Sequence, residues 1–191
     1  MLQDLTVSAF LDELASASPA PGGGSVAALA GAMAAGLVSM VCNLTLGNDK
    51  YREAEAVVRE TLAQAEQLRA RLTRLMEEDT NAYSAVIASY KLPKDSDEQK
   101  AARSAAIQAA LKQAVEVPLA TAEAAAPLRT LARTAKRHGN PNAASDAYVA
   151  EILATTAIDA ALANANINLP SVKDAEFVAA SRVRIAALQE L

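Results

Sequence analysis

The chain has 191 residues, 52% hydrophobic and 21% charged, with a net charge of −4. Alanine supplies about a quarter of it and Trp is absent, which favours closely packed helices and excludes a β-sandwich rich in Val, Ile, Thr and aromatics. The mild acidity speaks against a nucleic-acid module, and Cys42 with His138 alone makes neither a disulfide nor a zinc site.

Thr6 is a plausible N-cap, which predicts a short helix from Val7 to about Ala17 with Phe10, Leu11 and Leu14 inward. Ser18 to Ser25 holds two prolines and three consecutive glycines, a loop. No residue from Gly22 to Asn48 is charged, a run longer than the ~20 residues that cross a bilayer. Small residues at Ala27, Gly31, Ala35 and Ser39, with no basic flank and no second apolar segment, predict instead a buried central helix and no membrane association. Gly47-Asn48 ends it, and Asp49 can cap the next helix. Apolar residues at three- and four-residue steps, from Val58 through Leu68, Leu72, Leu75 and Val86 to Tyr90, predict a long helix to about Lys91, stopped by Leu92-Pro93. Ser96-Asp97-Glu98-Gln99 has capping-box spacing and opens an Ala-rich helix that Pro118 and Pro127 should bend or divide. Lys136, Arg137 and His138 suit its C-terminus, with Gly139 as the stop. A structured connection from Asn140 to Ser145 precedes a helix from Asp146 to about Ala165. The polar patch Asn164, Asn166 and Asn168 then leads to Pro170 and a last helix reaching Leu191. The expected architecture is a single all-α domain over 1–191, a helical bundle with a buried Ala/Gly-rich central helix and long antiparallel helices. With no basic leader, a cytoplasmic setting is expected.

Four places carry potential chemistry. At Pro21-Gly22-Gly23-Gly24-Ser25 the backbone N–H groups of a helix N-terminus are open to an anion; the alternative is a tight turn with Ser25 as N-cap. Asp79 falls on the apolar stripe between Leu75/Met76 and Tyr83/Val86. A carboxylate aimed inward must be paired, hydrogen-bonded or facing a cavity, and burial would raise its pKa toward proton transfer. Asp146 opens a helix after Gly139-Asn140-Pro141-Asn142, where an acid is favoured electrostatically whatever else it does. The Asn164, Asn166 and Asn168 amides offer donor–acceptor pairs to a heterocycle edge, or mark a turn. Metal ligands are not expected.

Pro19-Ala20-Pro21-Gly22-Gly23-Gly24-Ser25-Val26-Ala27-Ala28-Leu29 resembles the signature of the cyclodeaminase/cyclohydrolase family of tetrahydrofolate enzymes. Glu78-Asp79-Thr80-Asn81-Ala82-Tyr83, Lys91-Leu92-Pro93, Val117-Pro118-Leu119, Gly139-Asn140 to Ser145-Asp146, and Asn166-Ile167-Asn168 match further blocks in order. The resemblance implies a stand-alone domain that forms a homodimer and binds a folate as substrate, without a separate cofactor. It implies cyclisation of 5-formimidoyltetrahydrofolate to 5,10-methenyltetrahydrofolate with loss of ammonia, or alternatively hydrolysis of the methenyl form to 10-formyltetrahydrofolate; a non-catalytic helical folate-binding or assembly protein is the remaining reading. Asp79 and Asp146 are then the catalytic candidates. Pro21, Gly22, Gly23, Gly24, Ser25, Tyr83, Lys91, Pro93, Asn140, Asn166 and Asn168 are the substrate-binding candidates, with the glycine loop, or Lys91, Lys94 and Arg137, as receivers of the anionic tail.

Overall fold

The computed structural model describes residues 1–190. Among the described residues there are six α-helices: α1 Val7–Leu14, α2 Gly23–Asn43, α3 Glu55–Tyr90, α4 Asp97–His138, α5 Ala144–Asn168 and α6 Ala175–Gln189, with short 3-10 turns at Leu2–Asp4, Asp49–Ala54, Pro141–Ala143 and Leu169–Ser171. Among the described residues there is no strand. The expected last residue of α6, Leu191, lies outside the described residues.

The core is a four-helix arrangement in which α2 packs against α3 and α5, and α4 packs against the same two helices. Helix α2 is the central helix the small-residue pattern predicts. Ala28, Ala34, Ala35 and Val38 are fully buried. At Gly31 a Cβ would stand 3.1 Å from the Leu72 methyls and 3.5 Å from Ala157 Cβ, so α3 and α5 both crowd this helix at one point. Helix α6 lies outside the four, held by Arg184, which forms a two-pronged ion pair with Glu116 and a second with Glu123 on α4.

Several boundaries follow local chemistry. Thr6 Oγ1 accepts from the Ala9 amide, and Ser96 with Gln99 forms the expected capping box. Helix α1 stops at Leu14, not near Ala17. Ser16 and Ser18 turn their side chains onto nearby backbone, an alternative to helix that serines readily take. Asn48, not Asp49, supplies the cap after α2, and it caps the Asp49–Ala54 turn that leads into α3. Gly47, at φ +77°, takes the left-handed conformation there.

Two larger corrections concern α4 and α5. Helix α4 runs unbroken through Pro118 and Pro127. Proline at 118 has no N–H to give to the carbonyl of Ala114, and the Asn168 amide of α5 donates to that carbonyl at 3.0 Å in its place. Pro127 faces solvent, where water can serve. Helix α5 starts at Ala144 and continues to Asn168, so the three asparagines lie on a helix rather than in a turn.

Candidate active site

The acid on the α3 stripe and the glycines at the start of α2 meet. Asp79 follows Leu72, Leu75 and Met76 along the buried face of α3, all 4% exposed or less. Its Oδ2 accepts a 2.9 Å hydrogen bond from Ser25 Oγ. Burial pushes the Asp79 carboxyl above the usual carboxylate range, and hydrogen bonds from the Ser25 hydroxyl and backbone amide pull it partly back.

Gly24 makes this seating possible, since a Cβ there would overlap the Asp79 carboxylate. The N-cap of α2 is Gly22, with no side-chain cap, and Ser25 is the third helical residue. The anion received by this helix N-terminus is therefore the chain's own carboxylate. Two of the three settings open to an inward carboxylate hold together: Asp79 is hydrogen-bonded at a helix end, and it faces a cavity.

That cavity, about 240 Å³, is lined by the loop residues Pro19 and Ala20, by Gly22, Gly23 and Gly24, by Asp79, Ala82, Tyr83 and Val86 of α3, by Ala114 of α4, and by Asn164, Ile167 and Asn168 of α5. Helical geometry sorts the asparagines. Residues 164 and 168 are four apart and share a face, whereas 166 projects elsewhere and is exposed. Asn164 Nδ2 donates to the Ala160 carbonyl, and Asn168 Nδ2 donates to the carbonyls of Ala114 and Asn164. A carbonyl oxygen only accepts, so in each case the NH2 is engaged and Oδ1 is left as an acceptor. The lining thus combines a carboxylate and two amide oxygens with no cationic side chain, a setting for a ligand with an N–H edge or positive charge.

The other sequence candidates are placed as follows. Tyr83 lines this cavity and a neighbouring groove that ends at Lys91. Pro21 is buried beneath the loop, and Ser25 is buried behind Asp79. Pro93 and Asn166 are exposed and do not line the cavity. Asn140 ties loops together elsewhere: its Oδ1 accepts from Asn142 N and Tyr51 OH, and its backbone amide donates to Thr45 Oγ1. Asp146 lies eighteen residues before Asn164 on α5, about 27 Å along the axis, and is not brought to Asp79. Asn164 lines the cavity although the binding candidates named only its neighbours. Its i, i+4 relation to Asn168 is the available signal, and it has meaning only once both residues lie on one helix.

One turn beyond the cavity the sign of charge reverses. A cleft of about 420 Å³ continues from Val86 to Tyr90 on α3, from Ala114 to Leu111 on α4 and from Asn168 to Ser171, and it is lined by Lys94, Lys100, Arg103 and Lys173 with no carboxylate. Lys100 pairs with Asp97, and Arg103 donates to the Tyr90 carbonyl. Among the described residues no three His, Cys, Asp or Glu side chains gather as a metal site. Cys42 is buried, which pushes its thiol up to about 11.

A family model described as formiminotransferase-cyclodeaminase matches residues 6–187. A methenyltetrahydrofolate cyclohydrolase of Methylorubrum extorquens is 46% identical over 172 residues, covering 90% of this chain and 83% of that protein. The formimidoyltransferase-cyclodeaminase of Sus scrofa is 41% identical over 94% of this chain, which spans 33% of that longer protein. The crystal structure of a formiminotetrahydrofolate cyclodeaminase from Thermotoga maritima superposes with a TM-score of 0.87 at 28% identity, covering 100% of this chain and 91% of that one.

Proposed function

We propose that this chain, which belongs to the formiminotransferase-cyclodeaminase family, is a folate one-carbon enzyme acting at the carbon that joins N5 and N10 of tetrahydrofolate, with hydrolysis of 5,10-methenyltetrahydrofolate to 10-formyltetrahydrofolate as its leading reaction. The observation that carries this reading is Asp79, a half-buried carboxyl of raised pKa in a cavity lined by acceptors and no cation. The methenyl carbon is cationic, so such a lining favours it over neutral isosteres. The 46% identity to a cyclohydrolase supports hydrolysis as the leading reaction.

Water attacks the methenyl carbon as Asp79 takes its proton. Collapse of the resulting adduct forms the formyl C=O and breaks the bond to N5. Asp79 gives its proton to N5 and receives the one leaving the adduct hydroxyl. One proton is left over per turnover. Asn164 and Asn168 Oδ1 accept from the N–H edge of the pterin, and the basic cleft receives the carboxylates of the tail.

Cyclodeamination is the second reading, favoured by the close superposition on a cyclodeaminase of similar length. It uses the same carbon and the same carboxyl in the opposite proton sense. Near-ultraviolet absorbance of the methenyl chromophore separates the two. Loss of the chromophore faster than the uncatalysed blank establishes hydrolysis, and its appearance from 5-formimidoyltetrahydrofolate with ammonia establishes cyclodeamination. If neither rate exceeds the blank, the enzymatic reading fails.

A second copy of the chain completes the assembly in this proposal. Val26, Met33, Met40 and Leu44 stand exposed at 37–52% along the open side of α2, in a stretch with no charged residue to keep it wet, and an apolar stripe of this length is suited to a partner helix.

A further inference from the structure

Asp79 is bonded to more than a helix end. Ser25 Oγ lies 2.9 Å from Asp79 Oδ2 and 3.2 Å from Thr80 Oγ1. A hydroxyl has one proton. While Ser25 gives its proton to the carboxylate, Thr80 must give its own to Ser25, so the three groups form a directed chain. The chain also crosses the wall of the site. Asp79 lines the reaction cavity, fully buried Ser25 lines none of the grooves here, and Thr80 lines two neighbouring grooves whose linings include neither Asp79 nor the α2 glycines. One of these grooves is also lined by Glu13 and Glu77.

We infer that Ser25 and Thr80 form a proton relay connecting Asp79 to solvent by a route separate from the mouth of the substrate cavity. The inference rests on the proposed reaction, in which each hydrolysis leaves one proton on Asp79 while product still fills the cavity. The transfer balances: the acid O–H at Asp79 Oδ2 breaks as its proton joins Ser25 Oγ. The Ser25 proton passes to Thr80 Oγ1, and the Thr80 proton passes to water in the groove. Asp79 is left as carboxylate and both hydroxyls are restored. Cyclodeamination, which consumes a proton, runs the same chain inward.

No other ionisable group in the cavity competes for the role except Tyr83. Helix α2 supplies no charged residue, α4 supplies Ala114, α5 supplies Asn164, Ile167 and Asn168, and the loop supplies Pro19 and Ala20. Ser25 and Thr80 act through Asp79 and are positioning residues in this scheme.

Thr80→Val keeps the shape of the side chain and breaks only the outer link. In weak buffer it lowers kcat roughly tenfold with KM unchanged, and Thr80→Ser, which keeps the hydroxyl, holds the wild-type rate. Unchanged kcat in Thr80→Val, or an equal loss in Thr80→Ser, overturns the relay. Ser25→Ala removes a donor to the carboxylate, so the Asp79 carboxyl 13C titration moves to higher pH in the folded protein without substrate; an unmoved titration overturns the inner link. If wild-type protein turns over neither folate, the enzymatic reading has failed, and the 13C titration still judges the Ser25 contact on its own.

Discussion

Asp79 is held where ionisation is disfavoured, and that has a thermodynamic sign. Its native pKa is raised, so the folded chain binds its proton more tightly than the unfolded chain does. The protonated form's stabilisation is full below the ordinary carboxylate value and is lost as pH rises through the raised native value. Asp79→Asn, which mimics the protonated form, removes this dependence: as pH rises above ~4 the wild type loses melting temperature relative to the variant. The same variant loses the base and lowers kcat by roughly a hundredfold or more, a cost read in the chromophore assay. Gly24 separates geometry from chemistry. A methyl at Gly24→Ala overlaps the carboxylate and forces it off the α2 terminus. The expected result is a kcat loss approaching that of Asp79→Asn, with a fold cost of about 1–3 kcal/mol in urea melts. At Gly23 the added methyl meets Asn164 Nδ2 at 3.2 Å, so Gly23→Ala acts on KM instead. The stripe of α3 made Asp79 legible in the sequence because one polar residue interrupts a periodic apolar row. The partner of that residue was not legible, since Ser25 lies 54 positions away and looked like a cap.

Helix ends were readable where the signal is local, as at Thr6, Ser96 and Gly139. At Gly139 a Cβ would crowd the Ala135 carbonyl and stand 2.8 Å from Val41 Cγ1; close approach to α2, rather than a left-handed turn, requires glycine there. The continuity of α4 was not readable, because the group that makes Pro118 tolerable comes from another helix. Asn168 Nδ2 gives the Ala114 carbonyl the hydrogen bond that proline withholds, and the same amide presents its oxygen to the cavity. Asn168→Leu strands that carbonyl and costs about 1–3 kcal/mol. Pro118→Ala restores a backbone N–H to it, so the Leu substitution costs less in the Pro118→Ala background. A double-mutant cycle in urea measures the coupling; additive effects would mean the bond contributes nothing.

At the scale of the molecule, two surfaces have opposite characters. The open stripe of α2 is uncharged, and Met33→Glu with Met40→Glu places charges where a second copy would pack. Sedimentation equilibrium should then show a dimer for the wild type, as proposed, and a monomer for the double variant; a wild-type monomer removes the proposed assembly. Asp146 and Asn140, remote from Asp79 within one chain, were drawn to the site by sequence blocks that carry no information about distance along α5.

The basic cleft is the second surface, and it runs against a net charge of −4. Lys94 and Lys173 line it and no carboxylate does, and a carboxylate tail leaving the cavity past Val86 enters it one helical turn on. Such exposed charges act through solvent and contribute modestly. Lys94→Glu and Lys173→Glu should each raise the KM for folate roughly two- to fivefold while kcat stays put, because the reacting carbon is in the adjoining cavity. Added salt shortens the range of these fields, so the gap between wild type and variant narrows as ionic strength rises. A KM change that persists in salt would point to altered packing around Tyr90, and an unchanged KM would direct the tail along the Lys91 groove instead.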